Sequence, residues 1–291
     1  EGDQMENDIL AVIERESAGF SKGQRSIAKY ILENYDKAAF MTAGKLGKTV
    51  GVSESTVVRF AAELGYEGYP EMRKVLQEVV RNKLTSVQRI EVATEQIDED
   101  NLIDSIMTAD AERVRTTLES VNREDFDRAV NAIVNAKKVY IIGTRASSSL
   151  ATFFGYYMSL MMENVSVVHD TAVSEVYEQL FRVGAGDVVI GISFPRYSSR
   201  TVAAMKYAKA RGAETIGITD CEASPLYGIS NINLYAKSDM VSFIDSLVAP
   251  MSLINALLAE IGFCSRENIS DTFRRLEDVW SEYSVFLTDD K

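Results

Sequence analysis

Three hydroxyl-rich segments in the second half of the chain have the composition of an anion-binding site. They read G-T-R-A-S-S-S from Gly143, S-F-P-R-Y-S-S-R-T from Ser193 and T-D-C-E-A-S-P-L from Thr219. Each follows a short β-branched run and precedes a helical pattern, so its hydroxyl groups are expected at a helix N-terminus, where backbone amides favour an anion. The segments predict recognition of phosphate or carboxylate; the alternative is that each hydroxyl only caps its own helix.

Cationic and titratable residues accompany these segments. Arg145, Arg196 and Arg200 fall beside them, and a guanidinium can bind phosphate or carboxylate through two parallel hydrogen bonds. Pairing with nearby carboxylates is the alternative for these arginines. His169, the single histidine, and Glu175 could form an acid–base pair. A lone histidine at a strand end is more often structural or ligand-contacting than catalytic, so we predict effector contact for both residues and assign no catalytic residue.

A second set of residues, in the first quarter of the chain, has the spacing of a DNA-reading motif. Gly47, Gly51 and Val57 match the small contact residue, the turn residue and the buried apolar residue of a helix-turn-helix. Polar side chains at the start and on the exposed face of its second helix can reach base edges and phosphates. The residues predicted to contact DNA are Thr42, Lys45, Ser53, Glu54, Ser55, Thr56 and Arg59. A small, well-capped helical bundle is the alternative.

Periodicity and capping residues predict three helices that position this second set. Apolar residues at helical spacing predict the first over residues 21–34. The second begins at Thr42 and stops near Gly51, a residue type suited to left-handed backbone. The third is capped by Ser53 and ends at Gly65.

Charge is distributed unevenly along the chain. Residues 20–90 contain twelve basic and seven acidic residues, a net charge of +5, while the whole chain carries −12 and the remaining residues therefore −17. A positive region on a negative body concentrates the attraction for DNA phosphates at one end. The asymmetry favours nucleic-acid binding by the N-terminal region, with chance clustering of surface charge as the alternative.

The anion-binding segments must be positioned by an α/β domain. Short β-branched runs alternate with longer helical patterns, which predicts a five-stranded, parallel, doubly wound sheet. The predicted strands are residues 139–142, 165–168, 188–192, 215–218 and 232–234, with helices near 149–162, 172–181 and 199–211. Ligands bind at the carboxyl ends of such strands, where the strand order reverses, so we expect the three segments to converge there.

A length of 291 residues suits two ordinary domains. We predict a helix-turn-helix domain over residues 5–82, counted from Met5 as a candidate start, a linker and connecting helix over 83–121, and an effector-binding domain over 122–291. The apolar segment 241–263 and the Met- and Tyr-rich segment 153–162 are candidate subunit interfaces, with ordinary core packing as the favoured alternative for each.

Composition excludes several other classes of protein. Cys221 and Cys264 are too few for a disulfide framework or a zinc cluster and predict reduced thiols in the cytoplasm. Neither a G-x-G-x-x-G fingerprint nor a P-loop lysine motif is present, so no cofactor or metal is expected. Charged residues and Pro250 interrupt the segment 241–263, which favours a buried helix over a membrane span.

The N-terminal region resembles the helix-turn-helix domain of RpiR-type transcriptional regulators. The resemblance covers about residues 6–82 and rests on S-K-G-Q-R-S-I-A-K-Y-I-L-E-N-Y and G-V-S-E-S-T-V-V-R-F-A-A-E-L-G-Y-E-G-Y-P-E-M-R. It implies that Ser55, Thr56 and Arg59 belong to the recognition helix. Gly47 stands where the family commonly has Ala, which costs that helix roughly 1 kcal/mol.

Residues 122–270 resemble a sugar isomerase (SIS) domain, which typically has a five-stranded parallel sheet and commonly binds phosphosugars. Its first-loop pattern, G-x-G-x-S, falls on Gly143, Arg145 and Ser147, so the second glycine is replaced. Its pattern after the third strand, S-x-S-G-x-T, falls on Ser193 to Ser198, where Pro-Arg replaces the central Ser-Gly.

The second departure predicts a phosphate loop of altered shape, because Pro195 lacks a backbone N–H and Arg196 adds bulk. The resemblance implies phosphate contacts for Ser147, Ser193 and Ser198. Together with the residue-level reasoning, the predicted effector contacts are Gly143, Arg145, Ser147, Ser148, His169, Glu175, Ser193, Arg196 and Ser198.

These features predict a DNA-binding transcriptional regulator whose DNA affinity is controlled by a small anionic metabolite, a sugar phosphate by the resemblance. A helix-turn-helix monomer makes a small contact, so we expect a homodimer or homotetramer on a palindromic double-stranded operator. A carboxylate-bearing or non-sugar anion remains open as the effector. The alternative functions are a sugar-phosphate aldose–ketose isomerase and a non-catalytic sensor that regulates a protein partner.

Overall fold

The computed structural model describes residues 9–96, 101–170, 172–240 and 244–286. These residues form two compact units, each with its own hydrophobic core. The first unit ends at Leu102 and also includes Met240 and Ile244, and the second begins at Ile103. The division therefore falls inside the predicted connector, residues 83–121.

The first unit is helical over its described residues. Its helices are α1 (Ile9–Glu16), α2 (Lys22–Glu33), α3 (Tyr35–Ala38), α4 (Ala43–Val50), α5 (Glu54–Glu63), α6 (Tyr69–Lys83) and α7 (Ser86–Gln96), with a 3-10 turn at Ser17–Gly19. Helices α2, α4 and α5 match the three predicted helices to within two residues at each end. Helix α7 lies in the predicted linker and connecting-helix region, residues 83–121.

Hydroxyl caps begin the three predicted helices. Ser21 caps α2 in a capping box, in which its side chain accepts from the backbone N–H of Gln24 while the Gln24 side chain accepts from the backbone N–H of Ser21. Thr42 and Ser53 each accept a hydrogen bond from the backbone N–H three residues later, at 3.2 and 3.3 Å. Each cap stabilises its helix by about 1 kcal/mol, because it satisfies an N–H that has no partner within the helix.

The apolar faces of these helices pack into one core. Ile27 of α2, Leu46 of α4 and Phe60 of α5 are fully buried. Phe20, just before α2, packs edge-on against Phe60 with ring centroids 5.1 Å apart. Burying each such side chain contributes about 1.5–3 kcal/mol, so this shared core holds α2, α4 and α5 together.

The second unit is an α/β domain with helices on both faces of a sheet. Its helices are α8 (Leu102–Ser120), α9 (Arg123–Val134), α10 (Ser147–Met161), α11 (Val173–Leu180), α12 (Ser199–Ala210), α13 (Val248–Cys264) and α14 (Arg266–Glu282). Its strands are β1 (Val139–Gly143), β2 (Val165–Val168), β3 (Val188–Ile192), β4 (Glu214–Thr219) and β5 (Ile232–Tyr235). All five predicted strands are confirmed to within one residue at each end.

The strands form one parallel sheet in the order β2-β1-β3-β4-β5. The chain moves outward from β1 to β2 and then returns to the other side of β1 for β3, so the order reverses between β1 and β3. Helices α9, α10 and α13 cover one face and α11 and α12 the other. The central strands β1 and β3 are buried along their whole length, as expected when both faces are covered.

The apolar segment 241–263 was predicted as one helix, and this prediction needs correction. The helix, α13, begins at Val248, while residues 241–243 lie outside the described ranges. Leu253, Ile254 and Leu257 of α13 are buried in the core of the unit. Within the described ranges, no single helix has the length and apolar composition to cross a membrane; α13 passes that test only jointly with residues 269–282, across a 104° bend.

Candidate functional site

The turn between α4 and α5 has the close backbone contact that the sequence spacing predicts. Gly51 ends α4 with φ of +77°, the left-handed conformation that glycine adopts without strain. A Cβ on Gly47 would lie 2.8 Å from the carbonyl oxygen of Val52 and 3.4 Å from the backbone nitrogen of Glu54. The two helices therefore approach at Gly47 more closely than an unshifted alanine would allow.

The residues predicted to contact DNA share the outer surface of this helix pair. Six of the seven are exposed and Thr56 is half-buried, whereas Val57 is fully buried in the core. The Ser53 hydroxyl lies 2.8 Å from the Thr56 hydroxyl, and Arg59 Nε donates to the carbonyl oxygen of Ser55 at 3.3 Å. These local bonds hold the polar side chains along one face of α5.

A cleft that sequence reasoning missed lies beside this face. It has a volume of about 590 Å³ and is lined in part by Ser21, Gly23, Gln24, Ser53, Thr56 and Arg59. The capped N-termini of α2 and α5 therefore border the same space, and the Gln24 side chain donates to the Glu63 carboxylate between them. The capping box at Ser21 was the available signal, but only the packing of α2 on α5 brings the two termini together.

The second candidate site is the carboxyl edge of the sheet, where the loops after β1 and β3 are neighbours. Gly143 and Ile192 pair in register at the ends of these strands. Ser147 begins α10 and Ser193 follows β3; both are buried, with 7% and 2% of their surface exposed. Ser198 caps α12, and its backbone N–H donates to the Ser193 hydroxyl at 3.1 Å. The structure therefore places the three serines predicted to contact phosphate on the two neighbouring loops of this edge.

Ser147 differs from the other serines of this edge. Its hydroxyl has no hydrogen-bond partner among the described residues, although nine-tenths of the residue is buried. Ser148 and Ser149 instead donate to the carbonyl oxygens of Arg145 and Ala146, at 2.6 and 2.7 Å, in the first turn of the helix. A hydroxyl without a protein partner at a helix N-terminus is available to an anion, whereas the hydroxyls of Ser148 and Ser149 already donate to backbone carbonyl oxygens.

The first loop is closed tightly around Gly143. A Cβ at this position would overlap the carbonyl oxygen of Ser147 and lie 2.9 Å from its carbonyl carbon. The hydroxyls of Thr144 and Thr201 lie 3.4 Å apart and link the loop after β1 to α12. The two loops are therefore packed as one surface.

Two arginines occupy strained backbone positions on these loops. Arg145 has φ of +55° and Arg196 has φ of +61°. A non-glycine residue in this left-handed region costs roughly 1–2 kcal/mol, because its Cβ crowds the following carbonyl oxygen. Both positions correspond to glycines of the SIS patterns. The loops thus keep a glycine-type backbone while carrying exposed guanidinium groups.

Arg200 is paired with a carboxylate, which is the alternative to ligand binding that the sequence left open for the three arginines. Its Nη1 lies 2.6 Å from Oδ1 of Asp170 in a partly exposed ion pair, and it also donates to the Asp170 carbonyl oxygen at 3.4 Å. This pairing ties α12 to the segment after β2. The positive charge of Arg200 is therefore largely neutralised within the protein.

Tyr197 and Asp220 form a partly buried pair that sequence reasoning missed. The Tyr197 hydroxyl donates to Oδ1 of Asp220 at 2.8 Å, and the Thr219 hydroxyl lies 3.2 Å from the same oxygen. Burial, followed by the negative charge of Asp220, raises the pKa of Tyr197 far above its usual value. Both residues lie in hydroxyl-rich segments, but their pairing across β3 and β4 could not be predicted from either segment alone.

His169 and Glu175 do not form a direct acid–base pair in the described structure. His169 is exposed, and its backbone N–H and carbonyl oxygen both bond to the Gln179 side chain at 2.9 Å. Glu175 is half-buried, and no hydrogen bond links its side chain to His169 among the described residues. The described residues also contain no cluster of three metal-ligating side chains.

Two family models match the chain. The helix-turn-helix domain of the rpiR family matches residues 7–83, and the SIS domain matches residues 132–260. An uncharacterised HTH-type transcriptional regulator of Caldanaerobacter subterraneus is 29% identical over 279 residues, which cover 94% of this chain and 95% of the relative.

Solved structures agree with this assignment. The sugar isomerase domain of an RpiR transcription factor from Sphaerobacter thermophilus is 29% identical, covers 61% of this chain and 99% of that chain, and has a TM-score of 0.58. The Vibrio vulnificus NanR protein complexed with ManNAc-6P is 22% identical, covers 94% and 98%, and has a TM-score of 0.56. This chain therefore has an rpiR-family helix-turn-helix domain followed by a SIS domain.

Proposed function

We propose that this regulator binds a double-stranded DNA operator through α5 and that a sugar phosphate bound at the carboxyl edge of the sheet controls its DNA affinity. The observation that carries the effector proposal is the hydroxyl of Ser147 at the N-terminus of α10, which has no hydrogen-bond partner among the described residues. The complex of NanR with ManNAc-6P supports it, because that protein shares the fold. Binding energy that differs between the free and effector-bound states is what shifts DNA affinity.

DNA binding is tested by fluorescence anisotropy on fragments flanking the protein's own gene, over a series of salt concentrations. Arg59→Ala removes an exposed cation from the proposed recognition helix, so affinity should fall about 10–100-fold and the salt dependence should become shallower. Arg275→Ala, at an exposed arginine of α14, is the matched control and should change neither quantity. Equal affinity of Arg59→Ala and the unchanged protein would contradict the proposal.

Effector binding is tested by a thermal-shift screen of sugar phosphates, since a ligand specific to the folded state raises Tm by mass action. The positive compounds are then added to the anisotropy assay, where they should shift the DNA affinity of the unchanged protein. Ser147→Ala should abolish both responses while leaving DNA binding without effector intact. An effector response that survives in Ser147→Ala would exclude Ser147 as the phosphate contact.

A homodimer or homotetramer is proposed, because two helix-turn-helix domains are needed to read the two halves of a palindromic operator. Tyr156 and Tyr157 on α10 and Phe263 on α13 are exposed aromatic residues within the candidate interface segments. Light scattering coupled to size-exclusion chromatography should give a multiple of the 32.3 kDa chain mass. Elution of a monomer at micromolar concentration would contradict this assembly.

We also infer that the protein acts in the cytoplasm as a sensor and catalyses no isomerisation. The match to the rpiR-family helix-turn-helix domain and the similarity to curated transcriptional regulators support this inference. Assays with hexose and pentose phosphates should show no turnover. Isomerisation that disappears in Glu175→Gln would instead establish the enzyme alternative.

The proposed domain limits remain 5–82, 83–121 and 122–291, and limited proteolysis tests them.

A further inference from the structure

The cleft beside α5 brings a second helix to the proposed DNA-binding surface. Gly23 and Gln24, in the first turn of α2, line this cleft together with Thr56 and Arg59 of α5. A Cβ on Gly23 would lie 3.4 Å from Cγ2 of Thr56, and the Gln24 side chain donates to the Glu63 carboxylate. These contacts hold the first turn of α2 directly beside α5.

Two cations flank the α2 residues that line the cleft. Lys22 stands immediately before them and Arg25 immediately after them, and both residues are exposed. Among the described residues, neither side chain has an ion-pair or hydrogen-bond partner. Lys29, further along the same helix, is instead paired with Glu33 at 3.9 Å. The first turn of α2 therefore carries two positive charges that no carboxylate of the described structure neutralises.

The width of the major groove determines what these two cations can reach. The groove is about 12 Å wide, and an α-helix with its side chains is about 10–12 Å across. A recognition helix therefore fills the groove. Because the first turn of α2 is packed beside α5, it would face the sugar–phosphate strand at the edge of the groove and not the base edges.

We infer that Lys22 and Arg25 bind backbone phosphates of the DNA duplex, on the strand that borders the groove entered by α5. The inference rests on the proposed function, because it adds a second contact surface to the same protein–DNA complex. The two helices then have different roles. Side chains of α5 read base edges, whereas the cations of α2 add affinity that does not depend on sequence and fix the position of the protein on the duplex.

Fluorescence anisotropy on two duplexes tests this division of roles in Lys22→Ala and Arg25→Ala. One duplex is the fragment flanking the protein's own gene that the unchanged protein binds most tightly, and the other is an unrelated sequence of equal length. Each variant should bind both duplexes about 3–10-fold more weakly, so the ratio of the two affinities stays unchanged. The slope of log K against log salt concentration should become shallower by about 1 in each variant, because one phosphate contact is lost.

Lys29→Ala is the matched control, because it removes the same charge from an exposed position of the same helix, beyond its first turn. It should leave the affinity and the salt slope unchanged, and all three variants should keep the Tm of the unchanged protein, since the replaced side chains are exposed. The Tm comparison separates a lost contact from a fold that is disturbed.

Three outcomes separate this inference from the proposed function. An unchanged salt slope in both Lys22→Ala and Arg25→Ala would overturn the inference, while DNA binding through α5 would stand. Weaker binding that is confined to the gene-flanking fragment would also overturn it, because the cations would then contribute to sequence recognition. If the unchanged protein binds neither duplex at low salt, the proposed function itself fails.

Discussion

The two candidate sites of this regulator are built in different ways. The proposed DNA-binding residues lie within eighteen consecutive positions, Thr42 to Arg59, and are mostly exposed side chains on one helix pair. The proposed effector site combines loops that are about fifty residues apart in sequence, and its central serines are buried. The first site therefore depends on local capping and turn chemistry, whereas the second depends on the long-range pairing of β1 with β3.

This difference predicts where a small substitution is damaging. In the helix pair, solvent surrounds the binding side chains, and a changed backbone contact mainly alters the angle of α5. At the sheet edge, the binding groups are part of the packed surface, so a change in packing also changes binding. Substitutions at contact-limited glycines separate these two behaviours.

Gly143→Ala should have the largest effect, because its Cβ would overlap the carbonyl of Ser147 in the first turn of α10. We expect a loss of about 1–3 kcal/mol in the free energy of unfolding and complete loss of the response to sugar phosphates. Thermal denaturation and calorimetry measure the two quantities. Gly228→Ala, where a Cβ meets no atom within 4 Å, is the control and should be neutral in both. A normal effector response in Gly143→Ala would contradict the dependence of binding on packing.

Two buried tyrosines extend the comparison to hydrogen bonds. The Tyr69 hydroxyl donates to the carbonyl oxygen of Met41 at 3.0 Å in the first unit, whereas Tyr197 donates to the buried carboxylate of Asp220 in the second. Tyr197→Phe leaves a carboxylate with fewer donors and should cost about 1.5–3 kcal/mol, against about 1 kcal/mol for Tyr69→Phe. Chemical denaturation at pH 7 measures both, and equal costs would contradict the distinction.

The stability that Tyr69 contributes depends on pH in a defined direction. Burial raises the pKa of Tyr69 to about 12, although the positive charge of Arg73 opposes the shift. Because the pKa in the folded state lies above the ordinary value of 10.0, the associated stability is fully present below pH 10 and is lost as the pH rises toward 12. Tyr69→Phe should therefore make the decline in stability between pH 10 and pH 12 shallower.

Local chemistry also explains how much could be predicted from the sequence. The caps at Ser21, Thr42 and Ser53 and all five strands are where their residue types place them, because capping and β-branched runs act over a few residues. The convergence of the serine-bearing loops also followed from the rule that ligands bind where a parallel sheet reverses its order.

Other features could not be predicted, because they arise from tertiary packing. Sequence type alone gives no reason for Arg145 and Arg196 to adopt left-handed backbone, and propensity would place glycine there. The Tyr197–Asp220 pair needs two neighbouring strands, and the start of α13 at Val248 shows that an apolar run does not by itself define a helix. Most of the features that the sequence could not predict lie at the carboxyl edge of the sheet.

Gly47→Ala tests the helix pair by the same kind of substitution as Gly143→Ala. The change should gain roughly 1 kcal/mol in helix propensity but lose about 1–3 kcal/mol, because the Cβ would lie 2.8 Å from the backbone oxygen of Val52. We expect a net destabilisation of about 1 kcal/mol and weaker operator binding, with the effector response unchanged. Gly19→Ala, which meets no atom within 4 Å, is the control. A stabilised Gly47→Ala protein with full DNA affinity would show that the helix pair absorbs the contact without a change in function.

The smallest predicted effect concerns the strained arginines and has the opposite sign. Arg145→Gly relieves a backbone strain of roughly 1–2 kcal/mol, but glycine also increases the entropy of the unfolded chain, which costs about 0.4–1 kcal/mol. The variant should therefore be more stable by about 0.5–1 kcal/mol in thermal denaturation. Ser284→Gly should show a similar gain, because its φ of +49° is equally unfavourable. A gain in stability that accompanies weaker binding of sugar phosphates in Arg145→Gly, but not in Ser284→Gly, would separate a binding role of the guanidinium from any structural role. Destabilisation of Arg145→Gly would instead show that the arginine stabilises the loop. The comparison of the two sites would then rest on Gly143→Ala and Gly47→Ala.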